Sequence, residues 1–475
     1  MKNKINNKEN IILMNRMNCN WGQLIVFMLL VLLMISCDHF LEVDYPENQI
    51  SGEVVFQDDA TALAALTAIY ANLRDNVLLT GNSNGLNVIM GLYSDELEYY
   101  GTPGQPLDAF YNHVLLQSNT SEEQLWNKSY YTIYMANSLL EGITNNSHLS
   151  SETIQKIKGE ALFIRALTHF YLVNLFGDVP YVIQTDYTLN SRISRLKENE
   201  VYKAIVADLK EAQSFLSTSG ALEGRIRPDK WTATALLSKV YLYMEDWQNA
   251  ESESTSIIEN TSLFSWETDL SKVFLKGSTT SIWQLKPKLE GYNTLEASIF
   301  NFVSVPPPLM ALNESILNAF EEGDMRKTSW ISSIANNADV WYHANKYKNT
   351  STTSTTEYSV IFRLAELYLI RAEARAHLEN FNGALNDVNK IRQRASIEDL
   401  INISKEELID AILQERRVEL FTESGNRWFD LKRTGKAESI LSLIKPNWES
   451  KDLLLPIPEN ELLVNPNLSP QNAGY

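Results

Sequence analysis

Cysteine is almost absent from this chain: Cys19 and Cys37 are the only two in 475 residues. A disulfide framework is therefore excluded as the source of its stability. Histidine is scarce too, six in all with none in an HExxH pattern, so no catalytic zinc signature is present. Basic residues are outnumbered, 41 against 59 acidic ones. Four of the basic and one of the acidic residues fall within residues 1–36, which leaves the remainder near −21. Such a surface repels nucleic acid and anionic lipid, so neither is an expected partner. Long apolar runs are missing apart from Leu24–Ile35, and twelve residues fall short of a membrane span. No alternation of strands with helices suggests a parallel sheet.

Leu24–Ile35 follows Lys2, Lys4, Lys8 and Arg16 and ends at Ser36-Cys37, the pattern of a secretory signal closed by a lipobox. The expectation is cleavage after residue 36, with a lipidated Cys37 as mature N-terminus. Several acyl chains on one cysteine suffice for stable anchoring. Residues 37–51 then read as a tether, and residues 52–475 as one domain.

Lys158–Tyr181 organises that domain. Its first nineteen residues predict a helix of roughly 28 Å, at about 1.5 Å per residue. Almost every side chain from Ala161 to Phe176 is apolar, so the helix must be buried on several sides. Glu160, Arg165, His169 and Asn174 interrupt it, which argues against a membrane span. Gly177 and Pro180 end it. Amphipathic helices are also predicted over Asp59–Arg74, from a capping box at Thr120–Glu123, and over Asn199–Leu216.

A repeat follows. Met244-Glu-Asp-Trp-Gln-Asn-Ala250 and Leu378-Glu-Asn-Phe-Asn-Gly-Ala384 each join two helices through a turn with an aromatic, then Ala three residues on. The spacing resembles the tetratricopeptide repeat. The fold class expected is mainly α: about four helix pairs, interrupted by loop-rich segments at about 80–118 and 262–360. Ser281–Lys286 and Tyr358–Phe362 are expected as short strands. A second capping box, Ser404–Glu407, opens the helix that runs to Phe421.

Four stretches in order resemble the SusD/RagB family, the surface nutrient-binding lipoproteins of Bacteroidetes: Leu172–Tyr181, Arg363–Ala374, Glu415–Leu420 with Gly425–Arg433, and Leu455–Pro458 with Asn465–Tyr475. Glu322–Arg326 is similar to that family's GDxR segment. The resemblance implies oligosaccharide capture without catalysis, beneath which a SusC-like TonB-dependent outer-membrane transporter takes up the ligand. Acidic Asp38, Glu42 and Asp44 after Cys37 resemble its surface-export signal. A RagB-like peptide-capturing protein and a surface scaffold binding only protein are the alternatives. No cofactor is implied.

Glu415, Arg416, Arg417, Glu419, Arg427, Asp430 and Arg433 read as a paired ionic network at helix contacts rather than a catalytic cluster. Gly81-Asn-Ser-Asn-Gly85 matches a GxSxG elbow, but a helix is predicted before it where the elbow needs a strand. Sugars offer flat C–H faces to aromatic rings, so loop aromatics are the expected ligand platform. Tyr99, Tyr100, Phe110 and Tyr111 come from the first loop region; Trp283, Tyr292, Trp330 and Trp341 come from the second. Asn82, Asn84 and Asp108 are candidate partners for sugar hydroxyls. Each ring can equally plug a small core beneath its loop.

Overall fold

The computed structural model describes residues 52–76, 78–218 and 224–475. The signal segment, Cys37 and the tether lie outside the described residues.

In chain order the elements that position the site are α1 (Asp59–Asn76), α2 (Leu86–Tyr93), β1 (Leu97–Tyr99), α3 (Pro106–Asn112), α4 (Thr120–Gly142), α5 (Ser151–Phe176), α6 (Glu198–Phe215), α7 (Lys230–Tyr243), α8 (Trp247–Ile258), β2 (Ser281–Leu285), β3 (Met310–Leu312), α9 (Met325–Trp330), β4 (Ile331–Ala335), β5 (Val340–Ala344), β6 (Ser359–Arg363), α10 (Leu364–His377), α11 (Phe381–Ala395), α12 (Lys405–Glu419) and α13 (Asn426–Arg433). Val55–Tyr475 is one compact unit.

The central helix is longer than expected. α5 begins at Ser151 because the Ser150 hydroxyl accepts from Thr153 N, and it ends where Gly177, at φ 74°, donates to Val173 O. At about 1.5 Å per residue it spans roughly 39 Å. The four polar residues that interrupt its apolar run are all buried and all paired. Glu160 accepts from the Tyr70 hydroxyl at 2.5 Å. Arg165 forms a bidentate pair with Asp208 at 2.7 Å and also reaches Asn137. The two ring nitrogens of His169 meet Arg165 O and Val182 N. Asn174 accepts from the Tyr202 hydroxyl at 3.0 Å. These bonds tie α5 to α1, α4 and α6, and they remove the penalty of burying polar groups.

Helix pairs α1/α4, α5/α6, α7/α8 and α10/α11 make the repeat scaffold. The two aligned turns share backbone geometry as well as sequence. Glu245 and Glu379 both take left-handed φ, 58° and 64°. The next residue caps the following helix in each: Asp246 accepts from Asn249 N, and Asn380 from Gly383 N. Ala250 and Ala384 are fully buried where the paired helices approach. Trp247 stacks flat on His377 at 3.9 Å and joins one repeat to the next. The capping box at Ser404 is present, but α4 is capped one residue earlier than predicted: Asn119 accepts from Ser121 N and Glu122 N.

Residues 80–118 are not the long loops expected. They hold α2, β1 and α3. Every residue of α2 except Asn87 is buried, and Gly91 lets Leu97 close on the helix, where a Cβ would stand 2.6 Å from Leu97 Cδ1. A short helix buried all round leaves no amphipathic stripe to read. The expected strands at 281 and 358 form, and they pair antiparallel as β2 and β6. Two further antiparallel pairs, β1 with β3 and β4 with β5, complete the strand set among the described residues. Gly81–Gly85 lies between α1 and α2, which is not the strand–turn–helix of a nucleophile elbow.

Candidate functional site

The C-terminal charges build a buried lattice. Arg326 donates to Asp324, to Glu415 at 2.8 Å and to Glu419 at 3.2 Å. Glu419 also takes Arg363 at 2.5 Å, and Arg394. Arg363 grips Glu423 through two nitrogens at 2.8 Å. Arg416 and Arg433 share Asp430, and Arg433 holds Glu373. Three surrounding guanidinium groups overcome burial and hold the Glu419 carboxyl far below its usual range. This is the paired structural network expected from the sequence.

Its ends anchor two strands. Asp95, just before β1, accepts Arg427 through both oxygens at 2.7 and 2.8 Å and Arg417 at 2.7 Å. β1 pairs with β3 through Leu97↔Leu312, Glu98↔Ala311 and Tyr99↔Met310, and Tyr100 N continues the ladder to Leu309 O. Arg326 lies in α9, which leads directly into the β4–β5 hairpin. That hairpin carries Trp341 opposite Ile334 and Tyr342 opposite Ser333. β5 runs beside β3. Two strands distant in sequence thus converge.

Between them is an open groove of about 360 Å³, lined by Tyr100, Trp341 and Tyr342 with Glu98, Glu314, Asn318 and Lys327. All three rings are half-buried, so each keeps exposed surface on a fixed base. The Tyr100 hydroxyl lies against the Trp341 indole and the Glu98 carboxylate; burial first, then Glu98, raises its pKa. Tyr111 neighbours the same carboxylate, and its pKa rises from burial and Glu98. Tyr99 tilts on Tyr111 at 6.4 Å, and the Tyr111 ring covers the Lys445 ammonium at 3.8 Å. Of the expected rings, Tyr100 and Trp341 therefore line the groove, while Tyr99 and Tyr111 pack on each other beside it, outside its lining.

The other expected platform residues are elsewhere. Phe110, Trp283 and Trp330 are each 0% exposed and present no ring face to a ligand. Phe110 packs edge-on against Tyr93. Trp283 does the same against Phe163 of α5, at 5.2 Å. Trp330 donates to Leu270 O at 3.0 Å and stands among the buried cations Lys346, Arg363 and Arg394. These three are core plugs, the alternative each ring carried. Tyr292 is 45% exposed but borders a separate pocket of about 210 Å³ with Arg74, Lys288 and Leu289. Asn82 and Asp108 spend their oxygens on local turns: Asn82 on Asn84 N, and Asp108 on Gly104 N and Asn112. Asn84 is exposed. Glu98, Glu314, Asn318, Lys327 and Tyr342 were missed. Only the run Glu98-Tyr99-Tyr100 carried a signal, a carboxylate beside two candidate rings.

Among the described residues no helix is long and apolar enough to cross a membrane. A family described as "Starch-binding associating with outer membrane" matches residues 40–242, and one described as "SusD family" matches residues 313–475. The two stretches together cover more than three quarters of the chain. SusD-like protein P2 of Formosa agariphila is 27% identical over 95% of this chain and 99% of its own length. A SusD superfamily protein from Bacteroides thetaiotaomicron superposes with a TM-score of 0.74 at 25% identity, over 87% of this chain and 99% of that one. A surface glycan-binding protein A from Bacteroides fluxus gives 0.73 at 21%, over 88% and 99%.

Proposed function

Since the chain belongs to the SusD/RagB family, we propose that it captures a nutrient oligosaccharide at the cell surface, without transforming it, and hands it to a SusC-like TonB-dependent outer-membrane transporter. Members of this family typically bind carbohydrate and are associated with the outer membrane. The observation that carries the reading is the Tyr100–Trp341–Tyr342 groove. Aromatic faces on rigid strands suit the C–H faces of sugar rings, while Glu98, Glu314 and Asn318 suit their hydroxyls. The surface glycan-binding protein of Bacteroides fluxus shares the fold. Lipid on Cys37 anchors the chain in this reading.

An exposed apolar patch supports a protein partner. Tyr131, Tyr134, Ile183, Tyr187, Leu463 and Val464 are all substantially exposed, and several border a second groove beside α4. Patches of this kind mark surfaces that another protein covers. The transporter is the occupant we propose.

A panel of plant, host and microbial oligosaccharides, titrated against the purified protein, tests the ligand. Selective retention of one glycan family supports the reading. Retention of peptides and of no glycan overturns it. Affinity purification from outer membrane is expected to bring down one large β-barrel protein, and Cys37→Ser is expected to release the chain from the membrane fraction.

A further inference from the structure

The groove has a charge as well as a shape. Two carboxylates line it, Glu98 on β1 and Glu314 just after β3. A third, Asp339 in the β4–β5 turn, acts on the Tyr100 hydroxyl. Against these stands one lining cation, Lys327, whose ammonium is already engaged with Leu317 O at 2.9 Å. Among the described residues no arginine borders the groove. A buried cation on the Glu98 side, Lys445, is sealed behind the Tyr111 ring and donates to Leu92 O and Tyr111 O. Burial pulls its pKa down to about 7, so it supplies only part of a charge at neutral pH.

Resting on the oligosaccharide reading above, we infer that this groove selects by charge: it takes glycans free of anionic groups and rejects those bearing uronate or sulfate. The physical reason is one-sided. A hydroxyl or acetamido group can donate to Glu98 or Glu314 and accept from Asn318. A carboxylate or sulfate in the same position has no donor fork to receive it, because arginine is the side chain that pairs such groups bidentately and none is present. It also meets like charge at short range in a partly desolvated cleft, where Coulomb repulsion exceeds its value in bulk water.

The test uses defined probes. Neutral cello-, xylo-, manno-, galacto- and laminari-oligosaccharides are titrated beside oligogalacturonate, oligoalginate and sulfated galacto-oligosaccharides, with the wild type, Trp341→Ala and the pair Glu98→Gln/Glu314→Gln. The expected result is that a neutral probe binds, that Trp341→Ala abolishes this, and that no anionic probe binds as tightly. The double amide variant keeps hydrogen-bonding groups and removes charge. It is expected to shift the ratio of anionic to neutral affinity toward the anionic probes by about tenfold at low salt. Raising the salt concentration narrows that shift. An anionic probe that binds the wild type more tightly than every neutral one, and is lost with Trp341→Ala, overturns the inference while leaving glycan capture intact. Failure of every probe to bind overturns glycan capture and the inference with it.

Discussion

Replacing Glu419 by Gln removes one charge from the centre of the buried lattice and little volume. The residue accepts from Arg326, Arg363 and Arg394 with no solvent contact. Arg326 keeps Asp324 and Glu415, and Arg363 keeps Glu423, but the loss takes from the buried Arg394 its carboxylate partner. Breaking a buried pair by removing one partner costs about 3–5 kcal/mol. Unfolding of a unit the size of Val55–Tyr475 carries an entropy of about 0.9 kcal/mol/K, so the melting temperature is expected to fall by about 3–6 °C. Calorimetry or circular dichroism at pH 7 reads this. The exposed pair Lys203–Glu200 is the control, and Lys203→Ala is expected to change stability by less than about 0.5 kcal/mol. The sign of the pH dependence follows from the depressed carboxyl. Its contribution is complete above the unfolded value near 4.5 and is lost as pH falls toward the folded one. The gap between wild type and Glu419→Gln is therefore full at pH 7 and closes on acidification below about 4.5. A shift under about 1 °C at pH 7, or a gap that stays constant as pH falls, would refute this account of the lattice.

Three more outcomes follow from particular side chains. Glu122 is fully buried at the start of α4 with neither carboxylate oxygen hydrogen-bonded, and burial pushes its pKa up to about 10. Its ionised form is penalised increasingly as pH climbs above about 4.5, so Glu122→Gln is expected to stabilise the protein by more at pH 8 than at pH 5 in denaturant titrations. Equal effects at both pH values would count against this. Glu379→Gly relieves a left-handed turn residue and is expected to add about 0.5–1 kcal/mol; a loss of stability would mean the Glu379 side chain contributes a contact of its own. Trp283→Ala empties a site in the core and is expected to cost about 3–5 kcal/mol, whereas Trp341→Ala changes stability little.

Periodicity and turn chemistry made the scaffold legible. α5 could be found because its polar residues are few and its apolar run is long. The turns at 244–250 and 378–384 could be aligned because the same capping geometry demands the same residue types. The ionic lattice could be anticipated because charges clustered on helix faces persist in an interior only when paired. The groove was only partly legible. Leu97 and Leu312 pair across nearly half of the chain, and no local pattern announces such a contact. Within 262–360 the strands are five residues or shorter, too brief for alternation to separate inside from outside. Trp330 and Trp341 therefore looked equivalent, although one is sealed among arginines and the other opens onto the groove. Residues 80–118 looked irregular because α2 is buried on all sides.

The place of the glycan is tested most directly by one calorimetric comparison: the oligosaccharide that the panel selects, titrated into wild type, Trp341→Ala and Trp283→Ala. Binding that vanishes with Trp341→Ala, and persists in whatever fraction of Trp283→Ala remains folded, is the predicted result. Binding unchanged by Trp341→Ala would contradict the claim that this groove is where the glycan is held.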